Sequence, residues 1–328
     1  MTEDPRSVTV SPMERPHSAS PRKGHGPESE LRRFVLFGQA ADAPRLAAGL
    51  YVVATPIGNL GDITLRALQI LAGADIVACE DTRVSRKLLD HYGIRTPLTP
   101  YHDHNAAAAR PKLIARLAAG ESVALISDAG TPLVSDPGLK LVQAAREAGH
   151  EVTSAPGASA VLTALTIAGL ASDRFFFEGF LPPRQAARRA RIAELVRIPG
   201  TLVLFETGPR LGEALADLAL GLGARQAAVC RELTKLHEEV RRGDLATLAR
   251  DYAGAAETRG EIVILIAPAA VKQHIETAEL DQLLRGALAR LSVKDAVAEV
   301  AVLSGLSRRE VYRRALALVK DADHGAPP

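Results

Sequence analysis

The sequence predicts an α/β protein with two α/β lobes, a small-molecule cleft between them, and a small helical domain after the second lobe. Three observations carry this prediction. From residue 49 to about 168, short continuous apolar runs alternate with amphipathic helical patterns, as in a mostly parallel sheet covered on both faces. In the second lobe the last three strand patterns lie too close together for crossover helices, which requires an antiparallel part. Beyond Pro268 the strand patterns stop and three short helical patterns remain.

Composition sets the limits. A chain of 328 residues is long enough for two or three domains. Apolar residues at 47% and charged residues at 24% are sufficient for a real core. Aromatics make up only 4% and Trp is absent, which argues against a stacking platform for single-stranded nucleic acid. Forty Lys and Arg against 38 Asp and Glu leave a formal charge of +2, so any contact with a polyanion must be local. Cys79 and Cys230 each follow a short apolar run outside any C-x-x-C pair, and read as buried reduced thiols. No apolar h-region follows the N-terminus and no run approaches the roughly 18–20 residues of a membrane span. The expectation is a soluble, cytoplasmic protein with no membrane partner.

The elements follow in order. Residues 1–48 are rich in Pro, Ser, Arg, Glu and His with little periodicity and are expected to be a disordered tail, in which 31–37 could dock locally or form a short helix. The first lobe, 49–168, reads as a strand at 50–54, a helix at 64–71, a strand at 74–79 and a helix at 85–92 ended by Gly93. It continues with a helix at 106–119, a strand at 122–127, a helix at 139–148, a strand at 151–154 and a helix at 159–169. The second lobe, 169–270, has strands at 174–178, 201–206, 226–231, 238–242 and 260–266, with helices at 186–197 and 211–220. In the helical domain, 276–322, a helix at 280–291 precedes one opened by Ser292 and closed by Gly305. Ser307-Arg308-Arg309-Glu310 is a capping box for the last helix, through Leu318. Three short helices resemble a helix-turn-helix, and a plain helical cap fits the pattern equally. Eight Lys and Arg against five Asp and Glu between Glu279 and Lys320 lean towards nucleic acid.

Neither G-x-x-x-x-G-K-[ST] nor G-x-G-x-x-G is present, which argues against P-loop phosphoryl transfer and ordinary dinucleotide binding. In their place stand four loops at strand C-termini, where ligands collect in open α/β sheets. The first runs Ala54-Thr55-Pro56-Ile57-Gly58-Asn59-Leu60-Gly61-Asp62, with Asp62 able to cap the next helix. Glu80-Asp81-Thr82-Arg83 is either a loop salt bridge or a charged active-site rim. The stretch 126–138 carries Asp128 and Asp136 among glycines and prolines, and is longer than a turn needs. Pro156-Gly157-Ala158-Ser159-Ala160 clears space at a helix N-terminus, whose free N–H groups could receive a carboxylate. Together they describe a cleft for a carboxylate-bearing ligand with an uncharged ring or a sulfonium.

Tyr51-Val52-Val53-Ala54-Thr55-Pro56-Ile57-Gly58-Asn59-Leu60-Gly61-Asp62, Glu80-Asp81-Thr82-Arg83, the 127–138 loop and Pro156-Gly157-Ala158-Ser159-Ala160 resemble the tetrapyrrole methylase superfamily. Within it the chain resembles the small-subunit ribosomal RNA methyltransferase I branch, as do Phe177-Glu178-Gly179-Phe180-Leu181-Pro182, Phe205-Glu206-Thr207-Gly208-Pro209-Arg210 and residues 230–239. The resemblance covers about residues 49–318. It implies two lobes of the tetrapyrrole methylase type with S-adenosyl-L-methionine between them, folded against Pro56, Asp128, Ala129, Gly130, Ser159, Ala160, Phe205 and Ala228. It further implies methyl transfer to the 2′-hydroxyl of a cytidine in 16S rRNA of the 30S subunit, and a homodimer.

A ribose hydroxyl is a weak nucleophile and calls for a general base. Glu80, Asp81, His102, His104 and Glu206 are candidates, and Asp81 and His102 are favoured because both sit on loops at the expected cleft. Arg83, Arg184, Arg188 and Arg191, with Lys87, are expected to hold RNA phosphates, against the plainer reading of a solvated helix face. His102-Asp103-His104 lacks a third metal ligand, and no metal is expected. Two departures stand out: Asp103 replaces the Glu more usual in this branch, and Pro183-Arg184-Gln185 keeps one residue of a basic pair. A methylase for a tetrapyrrole or other small molecule, and a non-catalytic nucleic-acid-binding protein, are the rival readings.

Overall fold

The computed structural model describes residues 32–253, 258–269, 277–304 and 306–324. Two five-stranded sheets carry the two lobes. After a hairpin of β1 (Arg32–Leu36) and β2 (Gln39–Ala43), the first sheet is built from β3 (Gly49–Val53), β4 (Ile76–Cys79), β5 (Leu98–Pro100), β6 (Ser122–Leu125) and β7 (Val152–Ala155), which run parallel in the order β5-β4-β6-β3-β7. Its central strands β4, β6 and β3 are largely apolar and buried because both faces are covered, whereas the edge strands β5 and β7 are partly exposed. Val53, Val77, Cys79 and Ala124 pack under α1 (Leu65–Gly73) and α2 (Thr82–His91). Leu50, Ile76, Ala78, Val123 and Leu125 pack under α3 (Ala106–Ala118) and α4 (Leu139–Glu147).

The second sheet has the order β11-β10-β12-β9-β8, from β8 (Phe175–Phe180), β9 (Thr201–Thr207), β10 (Gln226–Arg231), β11 (Glu239–Asp244) and β12 (Glu261–Ile266). Only β8 and β9 are parallel; β9, β12, β10 and β11 pair antiparallel, as the close strand spacing requires. One face is covered by α6 (Gln185–Leu195), α7 (Gly208–Leu222) and α8 (Leu245–Asp251). The other receives α5 (Ala160–Ala168), the last helix of the first lobe, through Val161, Ala164, Leu165 and Ala168 against Val203, Ala228, Val263 and Leu265. Arg242 of β11 caps the C-terminal end of α5 at the carbonyls of Ile167 and Ala168. The lobes thus share one apolar core.

The tail expectation needs correction. Residues 1–31 lie outside the described residues, but β1 (Arg32–Leu36) and β2 (Gln39–Ala43) form an antiparallel hairpin. Phe34 and Ala43 are buried in the first core, Val35 N donates to the Tyr92 carbonyl at 2.6 Å, and Arg32 pairs with Asp75 at 3.0 Å. Docking on α1 and the turn after α2 supplies the burial that the local composition lacks. A second correction concerns Asp62: Thr64, not Asp62, caps α1, accepting from Ala67 N at 3.1 Å, while Asp62 lies in a 3-10 turn capped by Asn59.

The helical domain, α9 (Thr277–Leu288), α10 (Val293–Ser304) and α11 (Arg308–His324), has its own core of Leu280, Leu284, Val297, Val300, Val311 and Ala315. The Ser307–Glu310 capping box forms at the start of α11, and Arg314 ties α11 to Asp281 of α9 through two 2.6 Å bonds. Gly305, expected to close α10, lies outside the described residues. Among the described residues no helix is long and apolar enough to cross a membrane.

Candidate active site

The strand-end loops meet because backbone bonds tie them together. Thr55 and Gly130 exchange N–H···O bonds of 2.8 and 3.0 Å, and the Thr55 hydroxyl donates to the Ser127 carbonyl at 3.1 Å. This bridge latches the first loop to the third. Asp128 Oδ1 accepts the Asp81 N–H at 3.0 Å, adding the second loop. The fourth loop ends in Ser159, whose hydroxyl caps α5, and Thr131 donates to the Ala158 carbonyl at 3.2 Å. Gly130, at φ +80°, adopts the left-handed conformation that the latch requires.

Between the lobes these loops enclose a cavity of about 290 Å³. The first lobe contributes Ile57, the Asp128–Gly130 turn, Val134, Ser135, Asp136, Ser159 and Ala160. Phe180, Phe205, Glu206, Leu233 and the start of β12 face them from the second. Phe205 stacks edge-on against Phe180 with ring centroids 5.7 Å apart. The lobes approach closely at the rim: a Cβ on Gly179 would stand 3.1 Å from Ser135 Oγ, and one on Gly58 would overlap Lys235 at 2.4 Å. Lys235 in turn binds Glu232 at 2.8 Å and Glu261 at 2.9 Å, bolting the second lobe's loop over the first.

The cavity is acidic. Burial pushes the Asp136 carboxyl up to about 6; Glu80 and Asp128 add to the shift, and a hydrogen bond from Ser127 opposes it. Burial likewise raises Glu206 and Asp128. Glu206 is 2% exposed; its Oε1 accepts the Thr207 N–H at 2.8 Å, and its Oε2 has no hydrogen-bond partner among the described residues. Two non-glycine residues in the left-handed region, Leu133 at φ +73° and Ser135 at φ +64°, hold the turn that delivers Asp136.

Six expected cofactor residues, Asp128, Ala129, Gly130, Ser159, Ala160 and Phe205, line this cavity. Pro56 and Ala228 do not. Pro56 is buried, and Ala228 packs in the core beneath α5. Asp81 does not line the cavity; it is the N-cap of α2, with its carboxylate gripped by Arg83 at 2.6 Å, and that grip, with the Arg83 N–H, holds it down to about 2. His102 does not line the cavity and stands beside Glu80, whose carboxyl is raised by burial and by Asp128 and Asp103 and lowered by His102. Among the described residues no three His, Cys, Asp or Glu side chains are grouped as metal ligands.

The arginine expectation divides. Arg188 is 1% exposed, paired with Asp217 at 2.7 Å and Glu213 at 3.3 Å, and cannot reach RNA. The reason is helical phase: Arg188, Ile192 and Leu195 share the buried stripe of α6. Arg191 is half-buried and bidentate to Glu178 at 2.6 and 2.7 Å, with Glu194 as a further partner. Arg83 and Arg184 are exposed, Arg83 paired with Asp81. Asp136 and Phe180 lay within recognised motifs without an assigned role; the two aspartates of the 126–138 loop were the signal for the first.

Comparison with known proteins gives the arrangement a family. Residues 49–249 match the model of Tetrapyrrole (Corrin/Porphyrin) Methylases, and residues 275–319 match the RsmI C-terminal HTH domain. The chain is 53% identical over 281 residues to a ribosomal RNA small subunit methyltransferase I of Mesorhizobium japonicum, covering 85% of this chain and 95% of that one. It is 46% identical to the protein of that name from Xylella fastidiosa, covering 80% and 97%. In fold it resembles diphthine synthase (TM-score 0.52, 18% identity, 66% and 89% covered). It also resembles a conserved hypothetical protein of Aeropyrum pernix K1 (TM-score 0.53, 20% identity, 86% and 100% covered). The two matched segments and the near-complete coverage place the chain in the tetrapyrrole methylase family, in its ribosomal RNA small subunit methyltransferase I branch.

Proposed function

We propose that the chain is an S-adenosyl-L-methionine-dependent methyltransferase that modifies the 2′-hydroxyl of a cytidine ribose in 16S rRNA. The observation that carries this reading is the identity of 53% to a ribosomal RNA small subunit methyltransferase I along 95% of that relative's length. The cavity's own chemistry fits the cofactor. The orphaned Oε2 of Glu206 suits a ligand bearing N–H or O–H donors, which S-adenosylmethionine has in its ammonium, ribose and adenine amine. The Phe180 and Phe205 rings and the surrounding carboxylates suit a cationic sulfonium, and the start of α5 at Ser159 and Ala160 suits its carboxylate. When bound, the group supplies a methyl carbon on a sulfonium with a good leaving group.

The protein's part is then to bind, orient and accept a proton. Asp128, Ala129, Gly130, Ser159, Ala160 and Phe205 form the cofactor wall in this reading. Exposed Arg83, Arg184 and Lys87 hold phosphates near the mouth, so that the attacking hydroxyl is positioned rather than merely admitted. The reading includes a cytoplasmic homodimer bound to the 30S subunit through α9 to α11.

The test is methyl transfer from labelled S-adenosylmethionine to 30S subunits lacking the native modification, followed by mapping of alkali-resistant linkages. One resistant cytidine step is the expected result, because a 2′-O-methyl removes the hydroxyl that alkali uses. Label without a resistant step moves the methyl to a base or a protein and overturns the ribose assignment. A chain lacking residues 275–328 is expected to bind S-adenosylhomocysteine but not to modify RNA. Retained modification would remove the helical domain from the reading.

A further inference from the structure

On the reading just given, we infer that Asp136 is the group that takes the proton from the attacking ribose hydroxyl. The inference rests first on position. Asp136 lines the cavity on a turn held by two left-handed non-glycine residues, Leu133 and Ser135, and is followed by Pro137. Such conformations persist only where surrounding structure imposes them, and here they turn a carboxylate into the cleft instead of into solvent. The same turn meets the second lobe at Ser135 and Gly179, so the group is fixed relative to both walls.

Asp81, His102 and Glu206 are less well placed. Asp81 serves as a helix cap and is clasped by Arg83, which makes it a weak proton acceptor. His102 lies off the cavity. Glu206 takes the Thr207 N–H and faces Arg210 at 3.3 Å, which fixes it in the second lobe's wall. Among the described residues Asp136 has no cationic partner; the charged groups that face it are Glu80 from the end of β4 and Asp128 from its own loop, while Glu206 and Glu261 line the cavity from the other lobe. Those like charges and its burial hold it near neutrality, where a general base serves best.

The step balances. The hydroxyl oxygen forms a bond to the methyl carbon while its proton passes to an Asp136 carboxylate oxygen; the carbon–sulfur bond breaks with its electron pair remaining on sulfur as a neutral thioether. Asp136 then releases the proton to water.

The experiment compares wild type with Asp136→Asn and Asp136→Glu in single-turnover methylation of 30S subunits across pH, with S-adenosylhomocysteine and RNA affinities measured in parallel. Asp136→Asn is expected to lose about 10²–10⁴-fold in rate with both affinities unchanged, and to lose the acidic limb of the pH profile. Asp136→Glu is expected to restore part of the rate. A second readout needs no activity. A carboxyl raised to about 6 by folding binds its proton more tightly in the native state, so the wild type loses stability as pH rises from about 4 to 6. Asp136→Asn is therefore expected to melt above wild type beyond about pH 6 and level with it below about pH 4. Activity within threefold of wild type, or an acidic limb that survives in Asp136→Asn, overturns the inference. A parallel loss of S-adenosylhomocysteine affinity also overturns it, making Asp136 a binding residue. A wild type that moves no methyl to RNA overturns the functional reading and this step with it, whereas an active wild type with an unaffected Asp136→Asn overturns only this step.

Discussion

Arg184, at the N-cap of α6, and Arg188, one turn into it, serve opposite ends. Arg188 is desolvated with Asp217, itself 3% exposed, and Arg189 takes the other Asp217 oxygen at 2.7 Å. A buried pair contributes little over apolar packing, yet removing one partner strands the other charge. Arg188→Ala is expected to lower stability by about 3–5 kcal/mol in chemical denaturation. Arg184→Ala should stay within about 0.5 kcal/mol of wild type and reduce the salt slope of RNA binding by about 1. Denaturation curves and a salt titration on the two variants check both statements. The stripe Arg188–Ile192–Leu195 was readable from period alone, but the partner that makes an arginine tolerable there lies on α7, and no spacing within α6 announces it. The same holds at the cavity: the loop with two aspartates was conspicuous, while the upward shift of Asp136 comes from its burial in the folded chain and from the charge of Glu80, far away in sequence.

Among the elements, the central strands β3, β4 and β6 of the first sheet were legible because continuous apolar runs suit a doubly covered parallel sheet. The hairpin was not. Arg32-Arg33-Phe34-Val35-Leu36 is short, charged and set beside a Pro- and Ser-rich segment, and its burial comes from α1 and from the Tyr92 carbonyl. Leu98–Pro100, three residues ending in Pro at a sheet edge, escaped for a similar reason. Phe34 is 4% exposed, so Phe34→Ala is expected to cost about 3 kcal/mol if the hairpin is integral to the lobe, read as a fall in the denaturation midpoint. An unchanged midpoint would mean that the hairpin rests on the lobe without supporting it.

At the scale of the whole molecule, one helix does the joining. α5 leaves the first sheet, buries small residues such as Ala164 and Ala168 against the second, and begins at the cavity wall with Ser159 and Ala160. Lobe packing and ligand site therefore share a backbone segment, which is why Ala228, buried beneath α5, sits so close to the site without lining it. The two sheets differ in a further respect, their connectivity. In the second, Arg231 pairs with Glu239, eight residues on, whereas in the first Leu50 pairs with Val152, 102 residues on. Closing the longer loop costs more chain entropy before any contact rewards it. Refolding should thus proceed from the later half of the chain. Pulse-labelled amides of β10 and β11 are expected to gain protection before those of β3 and β7, and simultaneous protection would show the lobes to fold as one unit. The wall bearing Glu206 is then finished first, and the wall bearing Asp136 is moulded against it.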